Sequence, residues 1–227
     1  MFIGQVALVS EVEQVTCGQL NKVSAALQKQ VIRDFRPLWH INATVDPFES
    51  MEDIPLGYWP VIIVADVKGA AGVHLDRNGQ PFALVEYGQG WWSLTASHET
   101  LEMLADPWGN RLIAGNSPKP DQGRVEFLVE VADPPEAPQF GYTVNGILLT
   151  DFLTPSFWDP VAANGVRYEC CGRRTGSLGR VRSRPHGEPT VWSAEVPASP
   201  CAWALSRRKH QLQDCSWRGA WPGSRFG

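Results

Sequence analysis

The run Val61-Ile62-Ile63-Val64-Ala65 constrains the fold more than any other stretch of the chain. Its consecutive apolar and mostly β-branched residues suit a strand, and a strand without polar alternation has to be covered on both faces. A chain that carries it builds a sheet with material on either side. Phe2–Ser10, with Ile3, Val6, Ala7, Leu8 and Val9, predicts a first strand. Glu11–Arg36 then spaces Val15, Leu20, Val23, Ala26, Leu27, Val31 and Ile32 mostly three and four apart and stops at Pro37, which predicts an amphipathic helix lying on that sheet. Leu38–Val45 and Trp59–Val67 predict two further strands. Gly69, Gly72 and Asn78-Gly79 mark turns, and Pro81–Tyr87 predicts a short strand whose leading Pro suits a sheet edge. An edge of that kind can capture an extended peptide by backbone pairing. With 43% hydrophobic and 19% charged residues, the chain has enough apolar material for the core that such an α+β arrangement needs.

The composition changes near residue 168. Residues 1–167 carry a formal charge of −10, whereas residues 168–227 carry +6 and hold Cys170, Cys171, Cys201 and Cys215. The last sixty residues show neither a helical stripe nor a strand alternation, so they are expected to be an irregular, loosely packed or disordered tail. Its cysteines lack the paired C-x₂₋₄-C spacing of structural zinc sites. Nucleic acid enters as a partner only through this basic, Trp-bearing tail, and the acidic body opposes it. No apolar stretch approaches the ~20 residues of a membrane-spanning helix. The start lacks a basic n-region and runs into Glu11 and Glu13, so the expected location is cytoplasmic.

Chemistry concentrates between Trp91 and Pro107, in the string Trp-Trp-Ser-Leu-Thr-Ala-Ser-His-Glu-Thr-Leu-Glu-Met-Leu-Ala-Asp-Pro. Thr95 or Ser97 suits a helix N-cap and Pro107 disfavours a helical residue before it, so a helix over 96–105 is expected. At 100° per residue, His98, Glu102, Asp106 and Glu99 fall on one face, and Leu101, Leu104 and Ala105 on the other. His98 and Glu102 project from successive turns and can share one metal ion. Glu99 sits beside them, placed to take a proton from water on that ion.

These residues resemble the His-Glu-x-x-His helix of zincin metallopeptidases, with Glu102 in place of the second His. The longer string Ser-His-Glu-x-x-Glu-x-x-x-Asp-Pro is similar to an HExxE-type branch of peptidases, and more weakly to the plant exordium-like proteins. The resemblance spans roughly residues 58–160 and implies an α+β zincin-like fold: a mixed sheet, an N-terminal amphipathic helix and a metal-site helix. It implies zinc, or another divalent metal, and a peptide or protein substrate. A third ligand is needed, and in the resemblance it follows on a later segment, which points to Glu130 with Asp133 orienting the ligating His. The alternation Val125, Phe127, Val129, Val131 suggests instead a strand with Glu126 and Glu130 on one face, which leaves Asp133 or Asp106 open as the ligand. His74 and Tyr142 are candidates for orienting a ligand or stabilising an oxyanion. Carboxylate in place of imidazole shifts the preference towards oxygen-loving metals and makes bound water less acidic.

Each of these residues also has a plainer reading. Surface helices are rich in Glu, His74 serves equally as a turn or core histidine, and Cys17 reads as a small buried residue of the first helix. The hairpin Tyr142–Leu149 around Asn145-Gly146, followed by Asp151–Trp158, reads as a cap over the body or a cleft wall. There is no phosphate loop, no Gly-x-Ser-x-Gly elbow and no dinucleotide fingerprint. The expectation is a metal-dependent hydrolase of peptide bonds in residues 1–167, with Glu99 as base. The alternative is a catalytically inactive binding or structural protein of the same fold.

Overall fold

The computed structural model describes residues 3–88, 90–116, 123–159 and 165–171, and the tail expectation from 172 onwards lies outside them. The fold is mixed α+β. Strand β1 (Ile3–Ser10) leads into helix α1 (Cys17–Gln30), whose N-terminus is closed by a capping box between Thr16 and Gln19. Thr16 Oγ1 accepts from the Gln19 amide, and the Gln19 side chain accepts from the Thr16 amide at 2.8 Å. The helix then widens into a π-helical stretch, Val31–Phe35, and continues as the short α2 (Arg36–Trp39). Pro37 therefore does not stop the helix as expected. It sits in the first turn of α2, where its missing N–H is tolerated. His40, at φ 56°, ends the run, and β2 accordingly begins only at Asn42 and runs to Pro47.

Strand β3 (Trp59–Val64) is followed by β4 (Gly72–Arg77), β5 (Gln80–Glu86) and the 14-residue helix α3 (Trp92–Ala105). The sheet order is β2-β1-β3-β5-β4, with β4 antiparallel and all other pairings parallel. The edges are thus β2 and β4, the latter a stretch whose glycines and Asn-Gly pair read in sequence as turns, and the strand beginning near Pro81 is internal. Pro81 is accommodated because the pairing of β5 with β3 starts only at Ala83. The hairpin turn between β4 and β5 is Asn78-Gly79, both at positive φ (54° and 79°), as a tight two-residue turn requires.

The apolar run at Val61 explains the layering. Val6, Leu8, Val61, Ile63, Ala83 and Val85 face α1 and α3, which lie on the same side of the sheet. Ala7, Val9, Ile62, Val64 and Val73 face the opposite side, where Met51, Ile54 and Val67 from the loops cover them. On α1, the spaced residues Leu20, Val23, Ala26 and Leu27 are buried, and Ser24 and Gln28 bond the backbone of β2 at Val45 and Ala43. Cys17, by contrast, is exposed in the first turn.

After α3 come the ribbon β6 (Leu112–Asn116) and β7 (Arg124–Leu128), then the hairpin β8 (Tyr142–Val144) and β9 (Ile147–Leu149) with Asn145-Gly146 at its turn. The aromatics beyond it close over the first helical unit. Phe152 packs edge-on to Phe35 at 5.2 Å, and Trp158 packs edge-on to Trp39 at 5.7 Å. Packing on the body continues past the compositional break, since Thr154 N donates to Tyr168 O and Cys170 N to Phe152 O, each at 2.9 Å. No helix among the described residues is long and apolar enough to cross a membrane.

Candidate metal centre

Helix α3 begins one turn earlier than expected, at Trp92, so Thr95 and Ser97 lie inside it and cap nothing. Ser97 instead ties the helix to the strand end after β9. Its hydroxyl donates to Leu94 O (2.9 Å) and accepts the Thr150 amide (2.7 Å). The helix is buried almost all round, and its ionisable face is covered as thoroughly as its apolar one. Glu99, Glu102 and Asp106 are 5%, 3% and 1% exposed.

Two segments cover that face. Strand β4 brings His74, whose Nδ1 stands 3.6 Å from Glu99 Oε2 and 3.5 Å from Glu102 Oε2. From the other side comes the stretch after β7. The strand ends at Leu128, a tight bend joins Glu130 N to Leu128 O, and the chain then runs past Glu102. There the amides of Ala132 and Asp133 both donate to Glu102 Oε1 at 3.2 Å. His98 Nε2 lies 3.3 Å from Glu102 Oε2 and 3.2 Å from Asp133 Oδ1.

The expected continuous strand over Val125–Val131 is therefore broken at Leu128, and Glu126 and Glu130 part. Glu126 is exposed, while Glu130 comes within ligand reach of His74 and Glu102. Asp133 groups with His98 and Glu102. The structure thus gathers His74, His98, Glu99, Glu102, Glu130 and Asp133 around one stretch of α3.

Asp106 and Tyr142 are not brought to this cluster. Asp106 Oδ1 and Oδ2 accept the amides of Asn110 (3.0 Å) and Arg111 (2.8 Å), and Arg111 O in turn accepts from Val129 N (2.9 Å). Asp106 is a clamp on the chain that delivers Glu130 and Asp133. Tyr142 Oη donates to Asp34 Oδ2 at 2.8 Å and accepts from Gln30 Nε2 at 3.1 Å, against the first helical unit. Burial, helped by the Asp34 carboxylate, pushes its phenol well above the usual tyrosine range.

No known protein family, curated protein or solved structure matches the chain.

The electrostatics of the cluster follow from its burial. Desolvation works to lower the His98 pKa, but the Glu102 charge, bonds to Asp133 and Glu102, and the nearby Glu99 outweigh it and hold the imidazolium well above the ordinary range. Burial works to raise Glu102, yet His98 and His74 together hold its carboxylate well below the usual range. A buried carboxylate kept ionised is a competent cation ligand, and His98 joins it as a ligand when the incoming cation displaces the imidazolium proton.

Sequence reasoning missed two features. One is the pair of amides that fix Glu102, which no side-chain pattern reveals. The other is Gly72, read as a turn marker. A Cβ there would lie 2.6 Å from Glu99 Oε1 and 2.6 Å from Thr95 Cγ2, so α3 approaches β4 across a residue with no side chain. A glycine inside a strand is the available signal for such an approach.

Proposed function

We propose that the chain is a zincin-like, metal-dependent hydrolase of peptide bonds, with His98, Glu102 and Asp133 as ligands and Glu99 as general base. One observation carries this reading. Donors held about 2.0–2.1 Å from a tetrahedral zinc ion lie about 3.3–3.4 Å from one another, and His98 Nε2 stands 3.3 Å from Glu102 Oε2 and 3.2 Å from Asp133 Oδ1. The imidazole thus has the spacing of a coordination shell to both carboxylates, and the three ligand atoms lie within 4.8 Å of one another. Asp133 takes the place that the sequence had assigned first to Glu130.

One imidazole and two carboxylates suit zinc and also manganese. A divalent ion held there supplies Lewis acidity for a scissile carbonyl and acidifies water. Glu99 lies outside the triad on the same helix, braced by His74 at 3.6 Å, and accepts the proton at its carboxylate. Strand β4, at one edge of the sheet, carries His74 into the site and offers its unpaired side to an extended substrate.

A second reading, a non-catalytic protein that uses the cluster as a buried ion-pair network, draws on the mutual pairing of His98, Glu102 and Asp133. Elemental analysis of wild type beside His98→Ala and Glu102→Ala, followed by a peptide-library assay with Glu99→Gln, separates them. The hydrolase reading expects metal in wild type, its loss from the His98, Glu102 and Asp133 position in both alanine variants, and metal without turnover in Glu99→Gln. Protein that takes up neither zinc nor manganese would overturn it.

A further inference from the structure

We propose that the cluster holds two divalent cations with Glu102 shared between them; this rests on the hydrolase reading above and adds a second ion position to it. The donors fall into two sets. His98, Glu102 and Asp133 offer ligand atoms within 4.8 Å of one another, and so do His74, Glu102 and Glu130. Glu102 is the member common to both.

Its two oxygens have different surroundings. Oε1 accepts the amides of Ala132 and Asp133, which fixes the carboxylate. Oε2 is approached by His98 Nε2 at 3.3 Å and by His74 Nδ1 at 3.5 Å. The imidazoles come from different elements, α3 and β4, and each brings a carboxylate of its own set from the segment after β7. A fixed carboxylate common to two such sets would be the shared ligand of a two-metal site, the kind used in hydrolysis with ions about 3.5–4 Å apart.

Charge points the same way. Glu99, Glu102, Glu130 and Asp133 set four carboxylates against two imidazoles, and His74, Glu99 and Glu102 are at most 5% exposed. Buried charge is costly unless it is offset. With both imidazoles neutral, as ligation requires, one dication offsets half of this negative charge and two offset all of it. Each set, with one imidazole and two carboxylates, accepts zinc or manganese.

The test is equilibrium dialysis of the full chain against Mn²⁺, with elemental analysis and electron paramagnetic resonance. Manganese is chosen because Asp151, Cys170 and Cys171 form a further donor group, whose sulfur ligands disfavour that oxygen-loving ion. Wild type is expected to take up about two equivalents and to show a spin-coupled pair. Glu130→Gln and His74→Gln should each retain about one equivalent with an uncoupled signal, and Glu102→Gln should retain neither tightly. Glu130 is the less buried of the two positions, so its isosteric variant keeps the test open if His74→Gln fails to fold. Wild type that saturates at one equivalent with a single-ion signal would overturn the second position and leave the hydrolase reading standing. Uptake of no metal would overturn both.

Discussion

Gly72→Ala isolates the close approach between β4 and α3. The added Cβ would meet Glu99 Oε1 at 2.6 Å, Thr95 Cγ2 at 2.6 Å and Glu99 Cγ at 2.8 Å, against an ordinary contact of 3.4 Å or more, so the nearest neighbours must yield about 0.8 Å. Little of that can come from the backbone. Gly72 is in register with Val85, the preceding residue accepts from Glu86 N at 2.7 Å, and α3 is buried on nearly all sides. Side chains yield instead. Overpacking costs about 1–3 kcal/mol, partly offset by the about 0.4–1 kcal/mol that Gly→Ala removes from the entropy of the unfolded chain. The expected net destabilisation is about 1–2 kcal/mol in urea unfolding. The larger effect falls on chemistry, because a catalytic carboxylate displaced by about 1 Å costs on the order of 10²-fold in turnover. Metal content should stay at the wild-type level, since the nearest neighbours of the added Cβ belong to Glu99 and Thr95, neither of them a proposed ligand. Adding Thr95→Ser removes one crowded methyl, so it should recover part of the stability and none of the turnover. A folded Gly72→Ala protein with wild-type stability and turnover would refute the view that this glycine sets the position of Glu99.

Asp106→Asn keeps the shape of the clamp and weakens its hold on Asn110 and Arg111, so stability should fall by about 1–3 kcal/mol; metal affinity should fall by about 10–100-fold, read by calorimetric titration, and a variant with unchanged affinity would show that the clamp does not govern the ligands. Tyr142→Phe should be less stable at neutral pH through loss of the bonds to Asp34 and Gln30, but flatter in alkali. The folded phenol pKa is raised above the unfolded value of about 10, so its contribution is complete below pH 10 and is lost as pH rises above it. Wild type should therefore lose up to about 1.4 kcal/mol per pH unit more than the variant above pH 10, and parallel curves would refute this.

Much of the scaffold was legible because it rests on local pattern. The both-face burial of β3 follows from Val61–Val64, α1 from the spacing of Leu20 to Leu27, and both hairpin turns from Asn-Gly pairs. Sequence also singled out His98, Glu99 and Glu102, because i, i+4 spacing is a property of the helix alone. What it could not settle depended on partners distant in the chain. The choice among Glu130, Asp133 and Asp106 turns on where β7 stops and on which backbone amides each carboxylate meets. Reading β4 as turns failed for a related reason. Gly72 and the polar residues His74, Asp76 and Arg77 give weak strand propensity, and pairing with β5 overrides it.

The Asn78-Gly79 turn decides more than the shape of a hairpin. Val73 belongs to the loop-covered face of the sheet and His74 to the face beneath α3. Strand side chains alternate, so a slip of one residue in the pairing of β4 with β5 would exchange them, sending the imidazole among Val64, Val67 and Ile54 and a valine towards Glu99 and Glu102. The two-residue loop, a polar and exposed stretch of chain with no ligand in it, acts as the gauge that fixes which side of the sheet has the chemistry. An insertion of a single residue at Gly79 would leave every donor in the sequence and take His74 away from the helix.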